Sequence, residues 1–510
     1  MTNSSLVLLS TLALGVGASG CMYQRLRDPQ PASELPGAYS STAAAGAGSP
    51  AGEGGEAGIP APPAAYEASE LTAPWWDQLG DPALDAIIRR ALAVNLSLNA
   101  TRARVRQAEA LAEIARSSRF PQISFEARFN VGTQRSAFQG NTRAIQVSAS
   151  LPVSYEVDLW ARRSREAEAS RLDVEAMRLD AQAAYITLVA STTEAWFDLR
   201  AVRAQRDLMV SQQANNQTYL ELVELRFQQG LASAVDVHQQ RVQVADADAQ
   251  LALLAGTEEV LRQRLSILIG EPPSAPFPEA EATLPELPAP PDAQFPASLL
   301  MNRPDVRAAA RRIEASDRRV SAAIAQRLPT IVLHFTPTYG WSTSEIIEPG
   351  ENAIPGVDPN RFTGAVSGFT YQAGAQLTVP LFDGFRGRAM VELERARVAE
   401  SVETFHDVIL HALVEVEAAL VQERQERVRL LHLERRIELT AATLDAAQAR
   451  YRQGLSDFLP VLSAIAMHQG AEAALLDARR QLISHRIQLH RALGGTWPEA
   501  LITEAEGNDE

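Results

Sequence analysis

Few residues in this chain are of a type and spacing suited to catalysis. Its eight histidines are scattered, and the closest pairs, His406/His411 and His485/His490, are five residues apart. Two ligands on one helix face need a spacing of three or four. No glycine-rich phosphate loop is present, and Cys21 is the one cysteine, so no intrachain disulfide can form. The carboxylates are spread along segments of helical periodicity, where they read as solvated faces. These features predict no enzyme, no metal and no cofactor. The net charge of −15 argues against a nucleic-acid partner.

The reactive side chain with a readable setting is Cys21. It follows the apolar run Leu6–Leu14 and then Gly15-Val16-Gly17-Ala18-Ser19-Gly20, an export-signal core followed by small residues at a cleavage point. Ala18-Ser19-Gly20-Cys21 resembles a bacterial lipobox. That resemblance implies removal of residues 1–20 and lipid on Cys21, and Met22 in place of Asp favours the outer membrane. The alternative is an ordinary signal peptide with an unrelated cysteine. Residues 28–73 are rich in Ala, Gly, Pro, Ser and Glu and cannot bury enough surface to offset chain entropy. Residues 21–73 therefore read as a flexible tether.

Four stretches alternate apolar and polar residues with a period of two. The first is Ile123, Phe125, Ala127, Phe129 and Val131, with Gln122, Ser124, Glu126, Arg128 and Asn130 between them. The second is Ile145, Val147, Ala149, Leu151 and Val153. The third runs from Ile331 to Trp341 and the fourth from Phe369 to Val379. A strand of this kind is greasy on one face and polar on the other. About ten residues is the length that crosses a bilayer at a tilt. The bland alternative is a soluble sheet over a helical core. Beyond the amino terminus no apolar run reaches eighteen residues, so a membrane-spanning helix is not expected. An open sheet edge cannot sit in lipid, and membrane barrels need about eight strands or more. Four strands per chain therefore predict that several chains share one barrel.

Most of the remaining chain reads as helix, and it repeats. Asp81-Pro82 suits a helix start, and the pattern predicts one helix to about Ser118. Hairpin 121–153, with loop 134–143, leads into a helix from near Asp158 to Gln229, on the order of 100 Å long. Gly230 interrupts it, and a second helix runs from about Ser233 to Ile269. After the Pro-rich linker 271–297 the plan recurs: a helix over Leu299–Arg327, hairpin 329–380 with loop 342–368, a long helix from Asp383 to Gln453, Gly454, and a last helix to Leu493. Arg226-Phe227-Gln228-Gln229-Gly230-Leu231 matches Arg450-Tyr451-Arg452-Gln453-Gly454-Leu455, and Pro152 and Asp158 match Pro380 and Asp383. Two copies of one unit are therefore expected, 74–270 and 298–495, followed by a flexible tail at 496–510. Val398, Val402, Phe405, Ile409, Ala412 and Val416 form a heptad-like stripe, which points to coiled packing.

The fold class expected is thus mainly α with a membrane β-barrel segment, built as a duplicated half-repeat. Over about residues 70–495 the chain resembles the TolC-like outer-membrane efflux proteins, in particular their lipoprotein (NodT-type) branch. The resemblance is carried by Trp75-Trp76-Asp77-Gln78-Leu79-Gly80-Asp81-Pro82, Asn302-Arg303-Pro304-Asp305-Val306, Leu151-Pro152-Val153 with Asp158-Leu159-Trp160, and Val379-Pro380-Leu381-Phe382-Asp383-Gly384. It implies a homotrimer whose twelve strands, four from each copy, close one outer-membrane barrel above a periplasmic helical tunnel. It further implies a periplasmic adaptor (membrane fusion) protein, an inner-membrane efflux pump and contact with outer-membrane lipid. The function implied is a passive exit duct for small molecules. A duct for secreted protein or metal ions, or a lipid-anchored envelope spacer, are the alternatives.

Within that resemblance, Arg226, Phe227, Gly230 and Leu231, with their twins Arg450, Tyr451, Gly454 and Leu455, would lie at two helix turns where the adaptor docks. Otherwise the two glycines only end helices. In relatives, acidic residues past the second-half glycine narrow the aperture. Here Pro460 and Ser463 stand at those places, leaving Asp236 and Asp457 as aperture candidates or as solvated charges that help helices start. Replacing Cys21 with Ser is expected to abolish incorporation of labelled palmitate, read by metabolic labelling and by mass spectrometry of the mature amino terminus. A mature chain that begins elsewhere and carries no lipid would favour the ordinary signal peptide.

Overall fold

The computed structural model describes residues 74–136, 140–273, 281–288, 303–348 and 364–495. The signal segment, Cys21, the tether, the tail and most of the Pro-rich linker lie outside the described residues. The elements in order are a 3-10 turn Trp75–Leu79, α1 Pro82–Val94, α2 Leu96–Ser117, β1 Gln122–Ile123, β2 Glu126–Ser136, β3 Gly140–Ser150, β4 Val153–Val157, α3 Arg162–Gln228 and α4 Ala234–Leu268. They are followed by α5 Pro304–Ala325, β5 Thr330–Glu348, β6 Gly364–Thr378, α6 Arg386–Arg452 and α7 Leu459–Ala492. The halves agree closely in length: α2 and α5 have 22 residues each, and α3 and α6 have 67 each. Two compact units form, and each draws segments from both halves.

The first unit, residues 114–169 and 312–404 in its described part, holds the sheet. All pairings are antiparallel. β1 and β2 follow one another along one edge, β4 and β3 lie between them and β5, and β6 forms the other edge. The sheet is thus four ribbons wide and open on both sides. Residues directly opposite in a ladder share a face. The rows Phe129–Val147–Trp341, Ala127–Ala149–Tyr339–Phe369, Val153–Phe335–Ala373 and Val157–Ile331–Leu377 make one face predominantly apolar, with Ser367 and Thr343 as polar members. The opposite face carries Glu126–Ser150–Thr338–Thr370, Ser154–His334–Gly374 and Glu156–Val332–Gln376.

Two of the four expected strands are interrupted. The first pauses at Ser124-Phe125 and the second at Leu151-Pro152. Pro152 has no N–H to give to a ladder, yet its carbonyl still accepts from Ser124 N at 3.1 Å. The ladders also reach beyond the apolar alternation, to Ser136, Gly140, Glu348 and Gly364. The expected loops 134–143 and 342–368 are correspondingly shorter, because backbone pairing does not require apolar side chains. The long helices begin three or four residues after their aspartates. The Asp158 carboxylate accepts from Arg163 N at 3.0 Å and Ser164 N at 2.8 Å, and Asp383 accepts from Gly387 N at 2.7 Å.

The second unit, described over residues 74–113, 170–311 and 405–495 apart from its gaps, is helical. Trp75, Trp76, Leu84 and Ile88 pack with Trp196, Phe197, Leu265 and Ile487 in its main core. Asp81 ties this core together. Its carboxylate caps α1, accepting from Ala83 N at 3.0 Å and Leu84 N at 3.2 Å. It also accepts from Trp196 Nε1 at 2.7 Å and from Arg200. The helix expected to run unbroken to Ser118 is divided at Asn95. Its buried side chain accepts from Leu98 N at 2.9 Å and donates to the Leu268 carbonyl at 2.9 Å, so it starts a new helix and anchors it to α4.

Part of the Pro-rich linker is strapped down. Arg200 donates to Thr283 Oγ1 at 3.1 Å, Leu284 and Leu287 pack on the core, and Arg427 and Arg486 donate to the Pro288 carbonyl at 2.8 and 3.2 Å. Arg486 is itself buried in a forked contact with Glu423, at 2.5 to 3.1 Å. Neighbouring His490 stacks on Trp75 with ring centroids 4.9 Å apart, and burial, aided by Arg486, pushes its pKa down to about 4.

Burial by itself would raise the Asp81 carboxyl, but the hydrogen bonds from Trp196 and Leu84 and the charge of Arg200 outweigh it and hold it below its ordinary 3.8. A carboxylate depressed on folding adds stability that is complete above its unfolded pKa and is lost as pH falls through the folded one. Asp81→Ala is expected to cost about 3 kcal/mol, from the lost cap and from a buried arginine that keeps only the exposed, more distant Glu281 carboxylate as its counter-charge. Thermal unfolding should show that deficit near neutral pH, and it should shrink as the pH is taken below about 4.

Candidate functional site

The duplicated Arg-aromatic-Gly-Leu motif occupies two helix turns of the second unit. In the first, Leu231 N donates to the Arg226 carbonyl at 2.8 Å and Gly230 N to the Phe227 carbonyl at 2.9 Å. In the second, Leu455 N donates to Arg450 O at 2.9 Å and Gly454 N to Tyr451 O at 3.0 Å. This bond pair closes a helix through a residue in the left-handed region, and the glycines sit there at φ 72° and 73°. A Cβ at either would meet nothing within 4 Å. Glycine is therefore required by backbone angle and not by space.

Apart from the two glycines, the motif residues fall into two sets. Leu231 and Leu455 are 62% and 66% exposed, and Phe227 and Arg450 are also on the surface. Arg226 and Tyr451 instead face each other. The Arg226 guanidinium lies 4.2 Å from the Tyr451 ring centroid, and its Nη1 donates to the Tyr451 carbonyl at 3.1 Å. Tyr451 is buried against Phe458, with ring centroids 5.4 Å apart, in a cluster with Val223, Val237, Val461 and Ile465. Burial pushes the Tyr451 hydroxyl pKa up. One cation–π contact plus one hydrogen bond thus ties the first turn to the second within a single chain.

The two aspartates also differ. The Asp236 carboxylate accepts from Ser233 N and Ser233 Oγ, both at 2.8 Å, while Ser233 Oγ accepts from Asp236 N at 3.2 Å. That reciprocal arrangement starts α4. Asp457 is exposed on the second turn. Beside it, a groove of about 640 Å³ runs along the end of α6, lined by Leu439, Ala442, Ala446, Arg450 and Pro460 among others. Sequence reasoning missed a buried polar layer just behind the turns. Gln240 donates to Asn216 O at 2.8 Å, Gln469 to Asn216 Oδ1 at 3.1 Å, and Gln212 to Glu472 at 3.0 Å. Polar residues at positions where a coiled stripe wants apolar ones were the available signal. Among the described residues no group of three or more His, Cys, Asp or Glu could hold a metal ion.

The outer membrane efflux protein family matches residues 87–271 and 295–495, one stretch for each half. The chain belongs to that family. The pyoverdine export outer membrane protein OpmQ of Pseudomonas aeruginosa is 30% identical over 434 residues, covering 83% of this chain and 87% of the relative. The outer membrane protein OprJ of the same species is 28% identical, covering 84% of this chain and 87% of its own length. Among solved structures, the outer-membrane channel OprN superposes with a TM-score of 0.74 at 26% identity, covering 87% of this chain and 99% of that one.

The contact between the turns uses the ring and the backbone carbonyl of Tyr451, not its hydroxyl. Arg226→Ala is therefore expected to speed amide exchange at residues 227–233 and 451–457 by about tenfold, as loss of a cation–π contact and one charged hydrogen bond implies. Tyr451→Phe should leave exchange within about twofold. Equal acceleration by both variants would refute this division of labour.

Proposed function

We propose that this chain is the outer-membrane exit duct of a tripartite efflux pump, passing small molecules outward when an adaptor and an inner-membrane pump engage it. The observation that carries the reading is the open sheet: one face predominantly apolar, the other mostly polar, and both edges unpaired among the described residues. Three copies would supply the twelve ribbons of a closed barrel, with the apolar face toward lipid and the polar face lining the lumen. The helices support the same assembly. α6 buries Phe405, Ile409, Ala412 and Val416 in its own chain, yet it leaves Leu410, Val414, Val421, Val428 and Leu431 exposed. On α4, Leu253, Val260 and Ile267 recur at seven-residue spacing and are 63%, 63% and 69% exposed. A helix that is apolar on two sides needs neighbours on both, as a stave in a tunnel wall has.

The turns divide the labour at the periplasmic end. Leu231, Leu455 and Phe227 offer apolar anchors to the adaptor, with Arg450 beside them. Arg226 and Tyr451 hold the two turns of one copy together, so this contact must yield for the tip to widen. Asp457 is the carboxylate available to an aperture, since Asp236 is engaged in starting its helix. No nucleotide motif is present in the sequence, so energy would come from the pump. Pyoverdine export by the relative OpmQ is in keeping with a cargo of small organic molecules.

Conductance across planar bilayers tests the reading. The purified chain should give small, steady channels, and Arg226→Ala should raise the conductance several-fold. In cells, Leu231→Asp with Leu455→Asp should abolish cross-linking to the adaptor while leaving assembled barrels at wild-type abundance. Absence of any channel from both wild type and Arg226→Ala would defeat the proposal.

A further inference from the structure

The residues that follow the free edge strand β6 are exposed out of proportion to their size. Leu381, Phe382 and Phe385 are 93%, 81% and 72% exposed. The Phe382 and Phe385 rings meet edge to face with centroids 6.0 Å apart. Phe385 has φ 69°, in the left-handed region, where a bulky residue is strained by about 1–2 kcal/mol. The twin position in the first half, immediately before the long helix, has the same backbone at φ 57° but is Ala161. The turn itself therefore does not call for an aromatic ring. A phenylalanine held in a strained conformation and outside its own chain's core is suited to a contact beyond the chain.

The sheet edges indicate the partner. β1 and β2 together span Gln122–Ser136, and β6 spans Gly364–Thr378, so the two free edges match in length. Because every pairing within the chain is antiparallel across four ribbons, β6 of one copy would also meet β1–β2 of the next in antiparallel sense. Laid end to end, the residues just after Thr378 fall beside those just before Gln122. That stretch is Arg119-Phe120-Pro121, with Phe120 56% exposed.

Resting on the shared-barrel reading above, the geometry points to an aromatic clasp between subunits: Leu381, Phe382 and Phe385 of one copy close on Phe120 of the next. The clasp sits at the barrel foot, where the last ladder hydrogen bonds end. Below that point no backbone pairing holds neighbouring copies together, and a packed aromatic seam would keep water and lipid out of the joint. The strain at Phe385 is then offset by ring contacts made only in the assembled trimer.

Two measurements on the full chain in native membranes test the clasp. Phe120→Cys with Phe382→Cys, oxidised, should give reducible dimer and trimer bands that neither single variant gives. Bridging within one chain is out of reach, because three ribbon spacings of about 4.8 Å separate the edges. Phe385→Gly relieves the backbone strain, so it should leave the trimer unchanged or more stable if the ring does nothing. The clasp predicts the opposite, a fall of about 5 °C or more in the temperature at which trimers dissociate. The clasp is overturned by a neutral or stabilising Phe385→Gly, by absence of bands from chains whose native mass is trimeric, or by reaction of the Phe382→Cys thiol with a lipid-phase reagent in intact trimers. A monomeric native mass would overturn the shared-barrel reading itself and the clasp with it.

Discussion

Backbone amides and carbonyls that face hydrocarbon without a partner cost several kcal/mol each. This sheet has two edges and only four ribbons, so it cannot satisfy those groups alone. Curvature within one chain does not solve the problem, because about eight strands is the smallest barrel whose interior side chains can fill. The need for further copies of the chain to complete the sheet follows from this unmet pairing. A helical bundle of similar size would face no such demand, since each helix satisfies its own backbone.

Duplication gives the chain a second logic. The three repeated helix pairs among the described residues match in length to within a residue, and each long helix starts after a carboxylate that reaches forward to its first amides. Divergence appears where the halves meet different surroundings. Ala161 and Phe385 share a backbone angle but not a side chain. Arg226 turns inward onto Tyr451 while its twin Arg450 stays outside. The first turn of the motif is followed by a Ser-Asp capping pair, whereas the second leads through Phe458 to a helix with Pro460 in its first turn. Sequence symmetry therefore sets the scaffold, and the departures from it mark the places where contacts are made.

Periodicity carried much of the architecture into view. The alternation at Ile123–Val131 and its three companions located every ribbon, because a strand with one face in lipid must alternate. The heptad stripe on α6 is buried as its spacing requires, from Phe405 through Val416. The misses are equally instructive. The helix break at Asn95 was invisible because the apolar residues on both sides of it, Ala91–Val94 and Leu96 with Leu98, also fit one continuous helix, and its bonds to Leu98 N and the Leu268 carbonyl reveal the role. Glu423 and Glu426 continue the α6 stripe at positions where apolar residues are expected, and both are buried against arginines. For the candidate site, the glycines and exposed leucines were readable from their types. The inward turn of Arg226 and Tyr451 was not, since identical hexapeptide spacing gave both halves the same expectation.

What the chain's order of residues settled unaided was the class of each element, the duplication, the open four-ribbon sheet and hence the requirement for more than one copy, because these depend on local periodicity and on backbone groups that every residue carries. What only the three-dimensional arrangement decided was which members of the repeated motifs face inward, where the linker is strapped at Pro288, and which carboxylate is engaged in a cap and which is exposed. Those outcomes depend on pairs far apart in the chain, such as Arg226 with Tyr451 and Asp81 with Trp196. Such pairs leave no trace in the spacing of either partner alone.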